Sequence, residues 1–249
     1  MKQLTAPTRV LVVDVGGSHV KCLVSGQVKR RKFDSWPEMS AAQMVERALK
    51  LVADWPFDAV SLGYPGAVVG NQPAREPHNL GRGWVGFDFE RAFARPVKVL
   101  NDSAMQAYGA YRGGKMLYLG LGTGLGSALI ADHVILPLEL AHLPYKKHGS
   151  YEDYVGKRGL ERLGEADWLD EVEKVIELFR RALLPDYIVL GGGNADRIDK
   201  PLAAVSLVDN RAAFLGGFRL WEASRATVET GLALERGLAA AGKTHGHAI

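Results

Sequence analysis

The stretch LVVDVGGSHVKCLVSG, residues 11–26, joins two apolar runs through an aspartate, a glycine pair and a serine. Val10, Leu11, Val12, Val13 and Val15 are too uniformly apolar for a half-exposed strand, so residues 9–15 are expected to be buried on both faces. The chain returns within a few residues, which predicts a tight antiparallel hairpin with a second strand at 20–25. Glycine lets such a turn take unusual backbone angles and approach a ligand closely. Successive backbone N–H groups in it form a concavity suited to an anion. The design recurs: an apolar run at 116–120, the turn GLGTGLG, and a second run at 127–131. The first turn holds Gly16, Gly17 and Ser18, and the second holds Gly122, Thr123 and Gly124, so each adds a hydroxyl. Two such hairpins, each opening one half of the chain, predict a duplicated α/β domain with a cleft between the halves.

The remaining pattern agrees with that class. A strand is predicted at 27–33, and an amphipathic helix at 40–55 with Met44, Val45, Ala48, Leu49 and Val52 on one face. Strands are expected at 59–63 and 96–100, the latter running into a helix that ends near Arg112. The second half carries a long helix at 165–184, strands at 187–190 and 203–208, and a closing helix at 227–241. Mixed sheets flanked by helices follow. The glycine pair after Arg112 marks the expected hinge, which divides the chain into 1–112 and 113–226. A C-terminal helix over 227–249 is expected to pack back on the first part.

Composition excludes several classes. With 249 residues, 47% apolar and 24% charged, the chain can bury a core without staples. Cys22 is the one cysteine, so neither an intramolecular disulfide nor a multi-cysteine zinc site is possible. No apolar run approaches the roughly 20 residues needed to span a bilayer, and the N-terminus lacks a signal peptide's apolar core. A soluble, cytoplasmic protein without membrane contact is expected. The net charge of +3 is mild. Basic clusters at 29–32, 146–148 and 180–181 read as solvated faces or as a track for a polyanion. No nucleic-acid-binding signature precedes the first strand. The segment GLAAAGKT, residues 237–244, matches the P-loop pattern but lacks the strand before it and the helix after it.

Asp14 closes a buried strand, where an unpaired carboxylate is costly. A magnesium ion beside bound phosphates would offset that cost. Each hairpin alone is equally compatible with an ordinary turn in which Asp14 caps backbone amides. Asp102 follows the apolar VKVL and precedes a helix, at the strand end where open α/β sheets hold ligands. The pair Asn101-Asp102 also suits a helix N-cap.

The ordered motifs VDVGGSHVK, LGYPGAV, NLGRGW, VLNDSAMQAYGAY, LGLGTGLGSALI, ELAH and IVLGGGN resemble the ROK family of sugar kinases, in the actin-like ATPase superfamily. The polyphosphate glucokinase branch looks nearest. The resemblance implies two ribonuclease-H-like domains around a cleft, and transfer of a phosphoryl group from ATP or polyphosphate to a hexose, foremost the 6-hydroxyl of glucose. A regulatory or non-catalytic sugar-binding relative, or a kinase for another hexose or N-acetylhexosamine, is the alternative. The resemblance also implies residue roles. Asp14, Gly16, Gly17, Ser18 and Lys21 match the first phosphate motif, with Asp14 toward Mg2+, and Thr123 and Gly124 match the second. Gly191, Gly192 and Gly193 match glycines beneath the donor nucleoside. Gly66, Asn79, Asn101, Glu139, His142 and Glu152 match sugar-binding positions, and Asp102 matches the catalytic base. By analogy with the family, a homodimer is expected. Three features depart from the family pattern: the cysteine-rich zinc motif of many ROK kinases is absent, Ala141 replaces the glycine of E-x-G-H, and the segment PYKKHGSYEDYVGKRGLERLG, residues 144–164, which holds Glu152, differs from that of a typical polyphosphate glucokinase.

Overall fold

The structure, a computed structural model, describes residues 9–147, 149–199, 202–209 and 211–222. The expected C-terminal helix, the P-loop-like segment and His148 lie outside them.

The first sheet contains β1 (Val10–Val15), β2 (His19–Val24), β3 (Arg31–Asp34), β4 (Ala59–Tyr64) and β7 (Val97–Asn101), in the order β3-β2-β1-β4-β7. The second contains β8 (Met116–Leu121), β9 (Leu125–Ala131), β10 (Val134–Leu138), β11 (Tyr187–Gly191) and β12 (Val205–Leu207), in the order β10-β9-β8-β11-β12. In each, the first three strands form an antiparallel meander and the last two add in parallel. One strand order is thus used twice, as the paired hairpins suggest. A small hairpin, β5 (Val68–Val69) with β6 (Gln72–Pro73), forms a separate ladder beside β7, and Asn71 of its turn bonds to the β7 backbone at Val97 and Val99.

Helices fill the layers. α1 (Ala41–Leu51) and α2 (Phe89–Phe93) cover the outer face of the first sheet. α1 begins at a capping box between Ser40 and Gln43, which satisfies two otherwise orphaned amides. α6 (Glu165–Leu183) covers the outer face of the second sheet, preceded by the short helices α4 (Tyr151–Val155) and α5 (Lys157–Leu163). α3 (Asp102–Ala110) and α7 (Arg211–Arg219) lie between the sheets and share one core with residues of both.

This layering explains the apolar run of β1. Leu11, Val13 and Val15 face the α1 side, whereas Val10 and Val12 face the α3 side. Strand alternation therefore turns Asp14 toward α3.

Several elements went unread in the sequence. α7 carries two glycines in nine residues, which lowers its helix signal. Those glycines are packing devices: a Cβ at Gly216 would strike the Met105 carbonyl and one at Gly217 the Val12 side chain, and across the contact a Cβ at Gly109 of α3 would strike the Ala212 carbonyl. β10 was missed because Pro137 demotes a strand, yet here it sits on a sheet edge, where proline is tolerated. The expected hinge is anchored on the second sheet's side. Arg112 N–H donates to the Tyr187 hydroxyl at 3.0 Å and Lys115 N–H to Asp186 Oδ2 at 2.7 Å. No helix among the described residues is long and apolar enough to cross a membrane.

Candidate active site

Asp14 is buried at the end of β1, opposite Lys21 in the β1–β2 register. The Lys21 ammonium lies 3.3 Å from Asp14 Oδ2. Burial raises the Asp14 pKa, and the Lys21 charge and hydrogen bond oppose that rise. The cost that the sequence suggested a metal would offset is thus met first by Lys21. Lys21 lies on the Asp14 face of β2, while Cys22 faces the opposite core.

Asp102 is the first residue of α3. It accepts a hydrogen bond from Ser103 N–H at 2.7 Å. Burial first, then the Asp14 carboxylate, then Glu139, push its pKa up to about 7 against the Ser103 hydrogen bonds. Three carboxylates from β1, α3 and the segment after β10 therefore share one electrostatic environment. Ser103 also packs where a side chain on Gly126 of β9 would stand, which seats the start of α3 against the second hairpin. Asn101, rather than Asp102, caps the helix: its Oδ1 accepts from Ala104 N–H at 3.0 Å. Its Nδ2 donates to the Gly66 carbonyl at 3.1 Å, which joins two expected sugar positions.

Glu139, His142 and Glu152 converge. His142 Nε2 is 3.4 Å from Glu139 Oε2, and His142 Nδ1 is 3.9 Å from Glu152 Oε1. Glu152 lies on α4, and its carboxylate occupies the space beside Gly124 of the second turn. Arg158, not singled out in the sequence, sits 3.6 Å from Glu152 Oε1 and 2.9 Å from Asp153 Oδ1.

The turns are built differently. In the first, Gly16 N–H closes on the His19 carbonyl at 3.0 Å, and Gly17 and Ser18 are exposed. Asn79 lies over it, with Cβ 3.6 Å from the position of a Gly17 Cβ. His19 pairs with Asp34 at 3.3 Å, a structural role. In the second, Thr123 is exposed, and Lys157 N–H donates to the Gly122 and Thr123 carbonyls at 3.0 and 3.2 Å. Asn194 N–H bonds to the Leu121 carbonyl at 2.9 Å and its Nδ2 to the Gly122 carbonyl at 3.2 Å. The GGGN segment thus buttresses this turn. Gly191 and Gly192 have packing reasons of their own, since side chains there would meet the Tyr118 ring and the Leu121 backbone. Gly193 is open. Asn194 was within reach of the sequence, as the residue closing a quoted motif. Ser103 and Arg158 gave no such signal, because their roles arise from contacts between distant segments.

The basic clusters are partly neutralised. Arg31 pairs with Asp54, Lys146 with Glu171, and Arg180 and Arg181 with Glu177.

No family model matches the chain. It is 25% identical over 241 residues to a polyphosphate glucokinase of Mycobacterium tuberculosis, covering 80% of this chain and 82% of that one. It is 30% identical over 206 residues to a glucokinase of Pyrobaculum calidifontis, covering 70% of this chain and 62% of the relative. Its fold matches the inorganic polyphosphate/ATP-glucomannokinase from Arthrobacter sp. strain KM with a TM-score of 0.72 at 22% identity, over 87% of this chain and 98% of that one. It also matches a ROK family glucokinase from Streptomyces griseus, solved with glucose and AMPPNP, with a TM-score of 0.67 at 16% identity, over 86% and 99% of the two chains. The chain is thus similar in sequence, along four fifths of its length, to polyphosphate glucokinase, and it shares its fold with ROK family sugar kinases.

Proposed function

We propose that the protein is a hexose kinase that transfers a phosphoryl group from ATP or polyphosphate to the 6-hydroxyl of glucose. The observation that carries this reading is the position of Asp102. It is a carboxylate at the start of α3 whose pKa burial, and after it the charges of Asp14 on the first hairpin and Glu139 of the polar trio, push up to about 7. A sugar hydroxyl becomes a competent nucleophile when its proton has an acceptor within reach, an effect worth about 10²–10⁴-fold. Asp102 is the acceptor, with a pKa matched to neutral pH. Ser103 N–H fixes one carboxylate oxygen and leaves the other for the hydroxyl proton.

Glu139, His142 and Glu152 hold the sugar through the mixture of acceptors and donors that a polyol requires. Asn101 contributes its remaining amide hydrogen, and Asn79 and Gly66 complete the sugar side. The exposed amides of Gly17 and Ser18 and the hydroxyls of Ser18 and Thr123, on the turns shaped by Gly16 and Gly124, receive the donor phosphates. Gly193 is the open position of the glycine triplet for the donor's far end. Phosphoryl transfer asks mainly for positioning and charge stabilisation from the protein.

A magnesium ion fits this donor set. Among the described residues no group of three or more His, Cys, Asp or Glu side chains could hold a metal ion by itself. Mg2+ is commonly held by one or two carboxylates plus phosphates and water, and Asp14 supplies one carboxylate. When bound, the ion neutralises charge on the transferred phosphates. The duplicated sheets support a two-part molecule, divided near residues 112–115, that closes on sugar and excludes water.

The test is phosphorylation of glucose, mannose, fructose and N-acetylated hexosamines by purified protein. Each is offered with Mg2+ and either ATP or polyphosphate, with Asp102→Asn as control. Glucose turnover that disappears in Asp102→Asn is expected. Absence of turnover with every pair would overturn the reading.

A further inference from the structure

One buried carboxylate stands outside both the sugar and donor clusters. Glu171, on α6, has a side chain only 7% exposed. It accepts from Lys146 Nζ at 2.6 Å, from Lys174 Nζ at 3.0 Å and from the Tyr145 hydroxyl at 3.2 Å. Burial works against its ionisation, but these three donors together hold the carboxyl below its usual range.

Two of the three donors belong to residues 143–151, the link between His142 and Glu152. The described residues at its two ends bond to one another. Tyr145 N–H donates to the Gly149 carbonyl at 2.7 Å, Tyr151 N–H to the Leu143 carbonyl at 3.2 Å, and Pro144 bridges Ser150. Tyr145 stacks on Tyr151 with ring centroids 4.6 Å apart and meets Tyr154 edge-on at 5.2 Å. The Lys146 ammonium reaches 4.9 Å from the Tyr154 ring. Lys146 has a φ of +54°, a left-handed conformation that a non-glycine residue keeps only when its surroundings enforce it. α4 has five residues, far too few to be stable by propensity alone. Its placement therefore comes from its Ser150–Asp153 cap, from this aromatic clamp and from packing on α6, whose Trp168 indole N–H donates to the Val155 carbonyl at 3.0 Å.

We propose that Glu171 is a positioning residue: by gripping Tyr145 and Lys146 it fixes the 143–151 link and so sets the spacing of His142 and Glu152 across which the hexose is held. This rests on the sugar-kinase reading for its ligand, but not for its geometry. Glu171 itself pairs with neither His142 nor Glu152. A role in packing alone predicts lower stability with unchanged substrate recognition. A positioning role predicts a selective loss of sugar affinity, because His142 and Glu152 hold the sugar in ground and transition states alike.

The experiment uses Glu171→Gln and Lys146→Met in the full chain. Glu171→Gln keeps the side-chain volume and an acceptor, so folding is retained. Three quantities are read: KM for glucose and for the donor, thermal midpoint, and amide hydrogen exchange across 143–155. The expected result is a glucose KM raised about tenfold in both variants, with donor KM and kcat changed less than about twofold. Exchange should speed up in 149–155 and not in the sheets. A lowered thermal midpoint with unchanged glucose KM would overturn the proposal. If the unmodified protein phosphorylates no hexose, the kinase reading fails separately and the exchange arm still decides. Faster exchange confined to 143–155 supports the clamp, and unchanged exchange in both variants overturns it.

Discussion

The Glu152 carboxylate occupies the space that a side chain on Gly124 would need. One residue of the polar trio is thereby pressed against the second glycine turn. Gly122, two residues earlier, faces no such neighbour. The two glycines of one turn should therefore respond differently to the same substitution. Gly124→Ala should displace Glu152 and raise KM for both sugar and donor, with kcat/KM falling about 10–100-fold. Gly122→Ala should raise donor KM while sugar KM stays within about twofold. Steady-state kinetics with each substrate varied in turn decides this. Equal effects on both substrates in both variants would contradict it.

On the proposed reading, Asp102 sets the pH dependence of turnover. A general base must be unprotonated, so kcat/KM for the sugar should rise with pH through about 7 and then level off. A phosphate-borne cation near Asp14 would favour the ionised form, so the same limb in kcat at saturating donor should lie lower. Rate profiles from pH 5 to 9 test both statements.

The same group has the opposite sign in stability. The folded-state pKa of Asp102 lies above its unfolded value, so the folded protein binds more protons between them. Stability therefore falls as pH rises from about 4 to about 7. Asp102→Asn should stabilise the protein at pH 8 by on the order of 1–3 kcal/mol, which corresponds to a few degrees in thermal midpoint. The difference should vanish near pH 4. Calorimetry of the two proteins at both pH values is the check.

Lys21 and Asp14 form a largely buried pair. Lys21→Met leaves the carboxylate without its cation and should cost about 2–3 kcal/mol at neutral pH. Losing Lys21 raises the Asp14 pKa further, so the deficit should shrink as the medium is acidified. Adding Asp14→Asn should restore most of the stability without restoring activity. Urea unfolding of the single and double variants measures each part.

The crossing of α3 and α7 admits no extra atoms. Gly109→Ala and Gly216→Ala each drive a methyl into a facing backbone carbonyl, which cannot rotate away. Each should cost about 3 kcal/mol or more, the upper end of overpacking. An alanine at Gly193, where nothing lies within 4 Å, should leave stability nearly unchanged. Thermal midpoints of the three proteins separate packing glycines from an open one.

The first strand, both glycine turns and α6 could be read from the chain because their signals are local. Val10 to Val15 announce burial on both faces, and strand alternation then aims Asp14 without further information. Ser40 and Gln43 mark the start of α1 by their own chemistry. The short elements were not legible for the same reason. α4 and α5 are too brief to carry a period, and α7 spends glycines on packing that its own helix propensity argues against. The motifs named the polar residues but not their company.

The sequence alone determined which residues end each buried strand and which turns can present amides to an anion, since these depend on neighbours a few positions away. The tertiary structure alone decided that Lys21 meets Asp14, that Glu152 leans on Gly124, and that Glu171 holds the link between His142 and Glu152. Those pairings join segments whose separation along the chain carries no local signal. They arise only when burying the apolar faces of two sheets and their helices fixes where each segment must lie.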